Sequence, residues 1–231
     1  METIINRPEK LVLRTEISES LANAVRRSIS EISTLAVDEV EIFKNDSALY
    51  DEVLAHRIGL VPLKTEKGMS EKTKIDLKLS KKGPCTIYSG DFEGGADIVF
   101  KNIPLTILNE DHKLEIVATA KLGKGIVHSK HTPGLCFYRH LTEVKSSPKI
   151  DEVVSKSSGL IKPEKKGSKW LADLSDLDLH KIEEIDKEAT SDSNELLLII
   201  ESFGMMPAKD ILSHAIKVLS DNLDDFEDKI K

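Results

Sequence analysis

Cysteine is almost missing from this 231-residue chain: Cys85 and Cys136 are the only two. Two thiols cannot complete a four-thiolate site and no CxxC spacing occurs, so neither an intact zinc ribbon nor an iron–sulfur cluster is encoded. Such sparse cysteine usage is read most simply as a reduced, intracellular setting. Aromatic residues are also few, at 4% with Trp170 the single tryptophan, which leaves Leu, Ile and Val to build the cores. No window approaches ~18 consecutive apolar residues, so no membrane contact is expected. The start, METIINRPEKLVL, lacks the basic stretch and long apolar run of a secretory signal. A cytoplasmic protein is the expectation. Positive charge is not in excess either. A net charge of −7 argues against a chain that wraps nucleic acid as a whole, because phosphate binding is driven by Lys and Arg; a local basic loop stays open.

What is present is an ordinary globular balance, 39% hydrophobic and 32% charged, at a length that suits one large domain or two modest ones. Residues 3–15 read as one strand, with Leu11 and Leu13 alternating against Val12. SESLANAVRRSISEIS follows as a helix with Ser18 as N-cap and Leu21, Val25, Ile29 and Ile32 on one face. LAVDEVEIF, residues 35–43, alternates as a strand. NDSALYDEVLAHRIGLVP reads as a second helix, with Asn45, Asp46 and Ser47 as candidate caps and Leu49, Val53 and Leu54 as its apolar face. His56 and Arg57 fall in its last turn, Gly59 suits a left-handed position past the end, and Pro62 forbids continuation.

From about Thr73 to Val144, KIDLKL, CTIYSGDF, DIVF, KLEIVATAKL and LCFYRHLTEV give short strands divided by turn residues. Residues 146–194 turn rich in Lys, Asp, Glu and Ser and read as weakly packed, with a short helix in LADLSDLDLHKIEEIDKEA. ELLLIIESFG has strand length, and Pro207 opens a last helix to about Phe226. There Leu212, Ile216, Leu219, Leu223 and Phe226 step by 4-3-4-3, the spacing of a seam that packs on another helix. Strand-plus-helix units at both ends are thus interrupted by a β-rich insertion.

Motifs that could carry chemistry are thin. Asn23 and Arg27 lie one turn apart beside Arg26, which reads either as a solvated face or as a partner contact. AKLGKGIVHSKHTPG, residues 120–134, carries Lys121, Lys124, His128, Lys130 and His131 between glycines. It has no phosphate-loop or dinucleotide pattern. It reads as a basic surface turn or as a contact loop for an acidic partner or a nucleic-acid backbone. His56, His128, His131 and His140 with Cys136 match no metal or Cys–His spacing, and Cys136 lies in an apolar strand. The pair Asp176 and Asp178, and the acidic DNLDDFEDK, read as solvated charge.

Three blocks nevertheless form a familiar order. LANAVRRSISEISTLAVDEVEIFKNDSALYDEVLAHRIGLVPL, then AKLGKGIVHSKHTPGLCFYR, then IIESFGMMPAKDIL together resemble the α-like subunits of archaeal and eukaryotic multisubunit RNA polymerases, the archaeal D pattern most of all. Members carry an Asn-Ala-x-Arg-Arg helix, a Thr-Leu-Ala-(Val/Ile)-Asp strand, a His-Arg-(Ile/Leu)-Gly-Leu-(Ile/Val)-Pro-Leu turn and a Gly-x-Gly…His-x-Lys…Pro loop.

The resemblance implies an α+β, two-domain α-like fold, with a dimerisation domain from residues 1–46 and 195–231 and a β-rich insert at 47–148. It implies a non-catalytic assembly subunit of DNA-directed RNA polymerase, a nucleotidyltransferase complex whose chemistry belongs to its large subunits. A heterodimer with the small subunit L would use Leu21, Val25, Ile29, Leu212, Ile216, Leu219, Leu223 and Phe226. Asn23, Arg26, Arg27, His56, Arg57, Lys124, His128 and Lys130 are candidates for large-subunit contacts, with small subunits N and P nearby and DNA and RNA met only through the complex. Many archaeal members carry a ferredoxin-like domain with cluster cysteines, and eukaryotic ones a zinc loop. Residues 149–194 have no cysteine, so a shortened segment without cluster, zinc or other cofactor is expected. The competing reading is a free-standing nucleic-acid-binding protein that uses the basic loop 120–131.

Overall fold

A computed structural model describes residues 1–70 and 72–231. The chain begins with β1 (Glu2–Asn6), β2 (Lys10–Thr15) and α1 (Glu19–Ser28), then one 3-10 turn (Ile29–Glu31) leads to β3 (Ser33–Asn45). There follow α2 (Asp51–Gly59), β4 (Lys74–Lys82), β5 (Cys85–Tyr88), β6 (Glu93–Gly94), β7 (Pro104–Leu108) and β8 (Lys113–Lys124). The remainder is β9 (Gly134–Lys145), α3 (Pro148–Lys156), β10 (Glu164–Lys166), β11 (Lys169–Ala172), α4 (Asp176–Ile185), β12 (Thr190–Ser202) and α5 (Ala208–Ile230).

The first expected strand is in fact a hairpin. Pro8 has no N–H to give a ladder, and Arg7 and Lys10 close the turn with two backbone bonds of 2.9 and 3.2 Å. An antiparallel sheet in the order β1-β2-β12-β9-β11-β10 therefore draws on both chain ends. β12 is its keystone. Leu196, Leu198 and Ile200 face one core with α1 and α5, while Leu197 and Ile199 face a second with Val12, Leu141 and Leu171. A strand buried on both faces reads as a continuous apolar run and needs a neighbour on each edge.

That need decides which sheet each long strand joins. β9, expected within the insert, pairs with β12 from Gly134 to Val144. β3, expected largely in the dimerisation domain, leaves the first sheet and pairs with β8 along its length, from Ser33 to Asn45. The second sheet, β3-β8-β4-β6, is covered by α2 through Leu54 and Ile58, and β5 pairs with β7 beside it. DIVF makes no strand; Ile98 only bridges to Leu63.

Three local expectations are corrected. Asn45, Asp46 and Ser47 do not cap α2, whose N-cap is Tyr50 without a side-chain bond. Asn45 instead binds Ser47 through its carbonyl oxygen and reaches Leu49 and Asp51 through its amide, which fixes the approach to the helix. Gly59 is the last helical residue and is not left-handed; the helix ends through Leu60 at φ −88°, ψ −2°. Residues 146–194 are not loosely packed. Val144, Ile150, Val154, Ala172, Leu174, Ile182 and Ala189 form a core of their own under α3 and α4.

The two sheets meet at the root of α5. Gly204 has φ +92°, a conformation that suits glycine, and a Cβ there would stand 2.3 Å from Val99 Cγ1. One residue on, the Thr65 N–H donates to the Met205 carbonyl at 2.9 Å.

Candidate functional site

Two surfaces collect the residues singled out in the sequence. The first lies between α2 and the 124–132 loop. That loop is clamped to β3 by His131, which is 5% exposed. The Thr34 hydroxyl donates to the His131 carbonyl at 2.6 Å, and His131 Nδ1 stands 2.8 Å from the Thr34 carbonyl. Burial pushes the His131 pKa down, so the ring is neutral and Nδ1–H is the donor. Gly123 leaves room for the imidazole, since a Cβ would lie 2.4 Å from its Nε2.

Beside this clamp, Asp38 holds Lys121 at 3.1 Å and Lys130 at 3.4 Å, and Glu39 holds Lys121 at 2.6 Å. The hydrogen bond from Lys121, with Lys130 adding its charge, keeps the Asp38 carboxyl below its ordinary range. A cavity of about 150 Å³ opens here, lined by Asp38, His56, Gly59, Leu60, His128 and Lys130. The LAVD strand, the HRIGL turn and the HSK loop, distant in sequence, thus share one cavity wall.

Not every candidate joins them. Arg57 turns to the other side of α2 and donates to the Pro104 carbonyl. There it borders an apolar hollow of about 320 Å³ with Leu49, Thr86 and Ile107. Lys124 faces a separate cleft of about 520 Å³ toward Asp210 and Lys217 of α5. Arg26 is held by Asn23 Oδ1 at 2.8 and 3.1 Å on the surface of α1. Reading the loop for its charges overlooked its tip. Ile126 and Val127 are 67% and 84% exposed, while Ile126 N–H donates to the Ser30 carbonyl at 2.8 Å and Val127 N–H to that of Lys124 at 3.0 Å. Two adjacent β-branched residues between GKG and HSK were the available signal.

The second surface is the outer side of α5. Ala208, Ile211 and Ala215 are buried against Ala22, Val25, Ile29 and Ile32 of the α1 region. The heptad seam falls on the neighbouring face: Leu212 and Leu219 are half-buried, and Ile216, Leu223, Phe226 and Ile230 are exposed. Leu21 of α1 is exposed as well. From Ser220 onward every residue of the helix faces solvent. This is a long apolar stripe that the chain itself does not cover, the kind of surface that marks a protein contact.

Neither surface has the donor set of a metal centre, and among the described residues no group of three His, Cys, Asp or Glu could hold a metal ion. Burial pushes the half-buried Cys136 thiol up to about 12, so it stays protonated against the core. His140 lies between the Ser193 carbonyl at 2.7 Å and Glu19 at 3.1 Å. The Cys-free 149–194 segment does not fit an iron–sulfur cluster, and aliphatic side chains fill its centre.

Residues 39–135, which run from β3 into the start of β9, match the family described as the RNA polymerase Rpb3/RpoA insert domain. Over 239 residues the chain is 35% identical to DNA-directed RNA polymerase subunit Rpo3 of Pyrococcus furiosus, covering 94% of this chain and 90% of that protein. It is 30% identical to the Rpo3 of Natronomonas pharaonis over 99% of this chain and 96% of that one. The Rpo3 of Methanocaldococcus jannaschii is 29% identical over 94% and 88% respectively. An α+β architecture and near-complete alignment with such proteins lead to one conclusion: the chain belongs to the Rpo3 family of DNA-directed RNA polymerase subunits.

Proposed function

We propose that this chain is an assembly subunit of the polymerase and contributes no catalytic residue of its own. The stripe along α5, with exposed Leu21 of α1 and with Val25 and Ile29 buried behind it, takes the small subunit L in a heterodimer, on which the two large catalytic subunits are built. The observation that carries this is the apolar seam continuing along α5 beyond the last residue that packs on α1. His56, His128 and Lys130, with Ile126 and Val127 beside them, face a large subunit; subunits N and P attach nearby. DNA and RNA are reached only through the complex, in the cytoplasm, and the 149–194 segment folds without cluster or zinc.

The rival reading, a basic loop that grips nucleic acid, is not supported. Lys121 and Lys130 are already engaged by Asp38 and Glu39, and Ile126 and Val127 at the loop's exposed tip are apolar. Co-expression with the L subunit of the same genome is expected to give a 1:1 complex. Ile216→Asp would place a charge in the seam and cost several kcal/mol of affinity, about a hundredfold or more. A stable monomer indifferent to L, or unchanged affinity in the variant, would overturn the proposal.

A further inference from the structure

β9 is open along part of one side. β12 pairs with it from Gly134 to Val144, whereas β11 covers only Thr142 to Lys145 on the other edge. The Phe203 N–H donates to the Pro133 carbonyl and the Lys145 N–H to that of Ala189. Odd-numbered residues of β9 thus aim their backbone groups toward β12, and even-numbered ones away from it. Cys136 and Tyr138 therefore present N–H and C=O groups at an edge where no described residue pairs with them.

Open edges are normally guarded by charge, proline or bulges. β10 consists of Glu164, Lys165 and Lys166, and β3 breaks register at Asp38 and Phe43 among acidic residues. The β9 edge has no such guard: LCFY, residues 135–138, is uncharged and in unbroken register. Its two faces differ. Cys136 and Tyr138 lie half-buried against the core under α1, which is held alongside by Glu19, 3.1 Å from His140 Nε2. Asn23 and exposed Arg26 continue that side of α1, one and two turns on. Leu135 and Phe137 are exposed on the opposite face. At the Gly134 end the edge runs toward Ile126 and Val127, because Ile126 bonds the Ser30 carbonyl just past α1 and Gly125 lies against Thr132.

We propose that the large subunit facing Ile126 and Val127 adds an extended segment to this edge as a further strand, with apolar residues over Leu135 and Phe137 and an acidic residue beside Arg26. This rests on the large-subunit reading above and adds the mode of docking. In strand addition, main-chain hydrogen bonds give affinity and alternate side chains give selectivity. Two copies joined through β9 would lie with both α1 helices on one side of a shared sheet. Arg26 and Arg27 of each would then meet their counterparts, and like charge opposes that pairing.

The test uses polymerase reconstituted from the subunits of its own genome, with the heterodimer of this chain and L as reference. Amide exchange resolved by residue should find Cys136 and Tyr138 about tenfold slower in the polymerase than in the heterodimer. Leu135 and Phe137, bonded to β12, should be slow in both. Cys136→Pro replaces the outward N–H with a ring, which an open edge tolerates. In competition with wild type during reconstitution it should enter the polymerase about tenfold less often while still binding L. Arg26→Glu should also enter less often. Equal exchange of Cys136 and Tyr138 in polymerase and heterodimer would overturn the inference and leave the assembly reading standing, whether or not the proline variant folds. So would protection already complete in the heterodimer, or full entry of a folded Cys136→Pro. Protection in the isolated chain that grows with its concentration would give the edge to a second copy and overturn the inference likewise. Failure of the wild type to enter any polymerase would instead overturn the assembly reading.

Discussion

Arg14→Met removes a charge from the middle of the six-stranded sheet while keeping an apolar stem of similar length. The Arg14 side chain is 11% exposed and forks onto Glu164 at 2.7 and 3.1 Å, with Glu195 on its Nε and Glu2 at 3.7 Å. It therefore ties β2 to β12, to β10 and to the first strand. Breaking a fully buried pair costs about 3–5 kcal/mol, and exposed pairs are worth under about 1 kcal/mol. Glu195 is 17% exposed and Glu164 45%, and Lys166 stays 3.2 Å from Glu195 in the variant. The cost therefore falls between these limits, at about 2 kcal/mol, or roughly thirtyfold in the folded-to-unfolded ratio. Urea unfolding of both proteins in parallel measures it. The sign with pH is fixed as well. The hydrogen bond from Arg14 holds Glu164 and Glu195 below their ordinary 4.5, so their contribution is complete above that value and drains away as pH falls through the folded values. The gap between wild type and variant should narrow in acid. A gap under ~0.5 kcal/mol near pH 7, or one that persists unchanged in acid, would refute the reasoning.

Three further outcomes are expected. Asp151 accepts from Ser146, Lys165 and Trp170 Nε1, the last at 2.8 Å. Lys165 foremost, then Trp170, lowers its carboxyl to about 2, so Trp170 fluorescence should hold through mild acid and shift only toward that pH; Asp151→Ala should shift it already at neutral pH. Thr34→Val keeps shape but loses the bond to the His131 carbonyl, so amide exchange in residues 124–132 should accelerate, and unchanged protection would remove the clamp from the account. Elemental analysis of the purified chain should find iron and zinc far below one per molecule; stoichiometric metal would mean that the 149–194 segment is held by something other than its aliphatic core.

The elements easiest to read were those whose pattern and packing agree. Ser18 does accept from the Leu21 N–H at the start of α1, and the 196–200 run is the doubly buried strand its composition implies. The failures share a cause. Local patterns mark where strands lie but not which strands pair, and β3 and β9 meet partners some 80 and 60 positions away in the chain. Residues 146–194 looked polar because their surface is charged; the few apolar positions are spaced to meet from two helices and two strands. The acidic motif residue Asp38 was seen only as part of an alternating strand, although it ties down both lysines of the loop. Charge counting found Lys124 and Lys130 equally attractive, and only the fold sends one toward α5 and the other toward His56.

Gly204 has a mechanical side. It sits where the six-stranded sheet hands over to α5, in contact with Val99 of the insert, and the Thr65–Met205 bond lies one residue further on. The helix that offers the seam and the unit that offers the His56–His128 cavity are therefore joined across a gap with no room for a methyl group. A side chain at 204 would strain the left-handed backbone and force either the Val99 methyl or the joint itself to shift. The angle between α5 and the wall of the His56–His128 cavity thus depends in part on one backbone position whose left-handed conformation suits glycine.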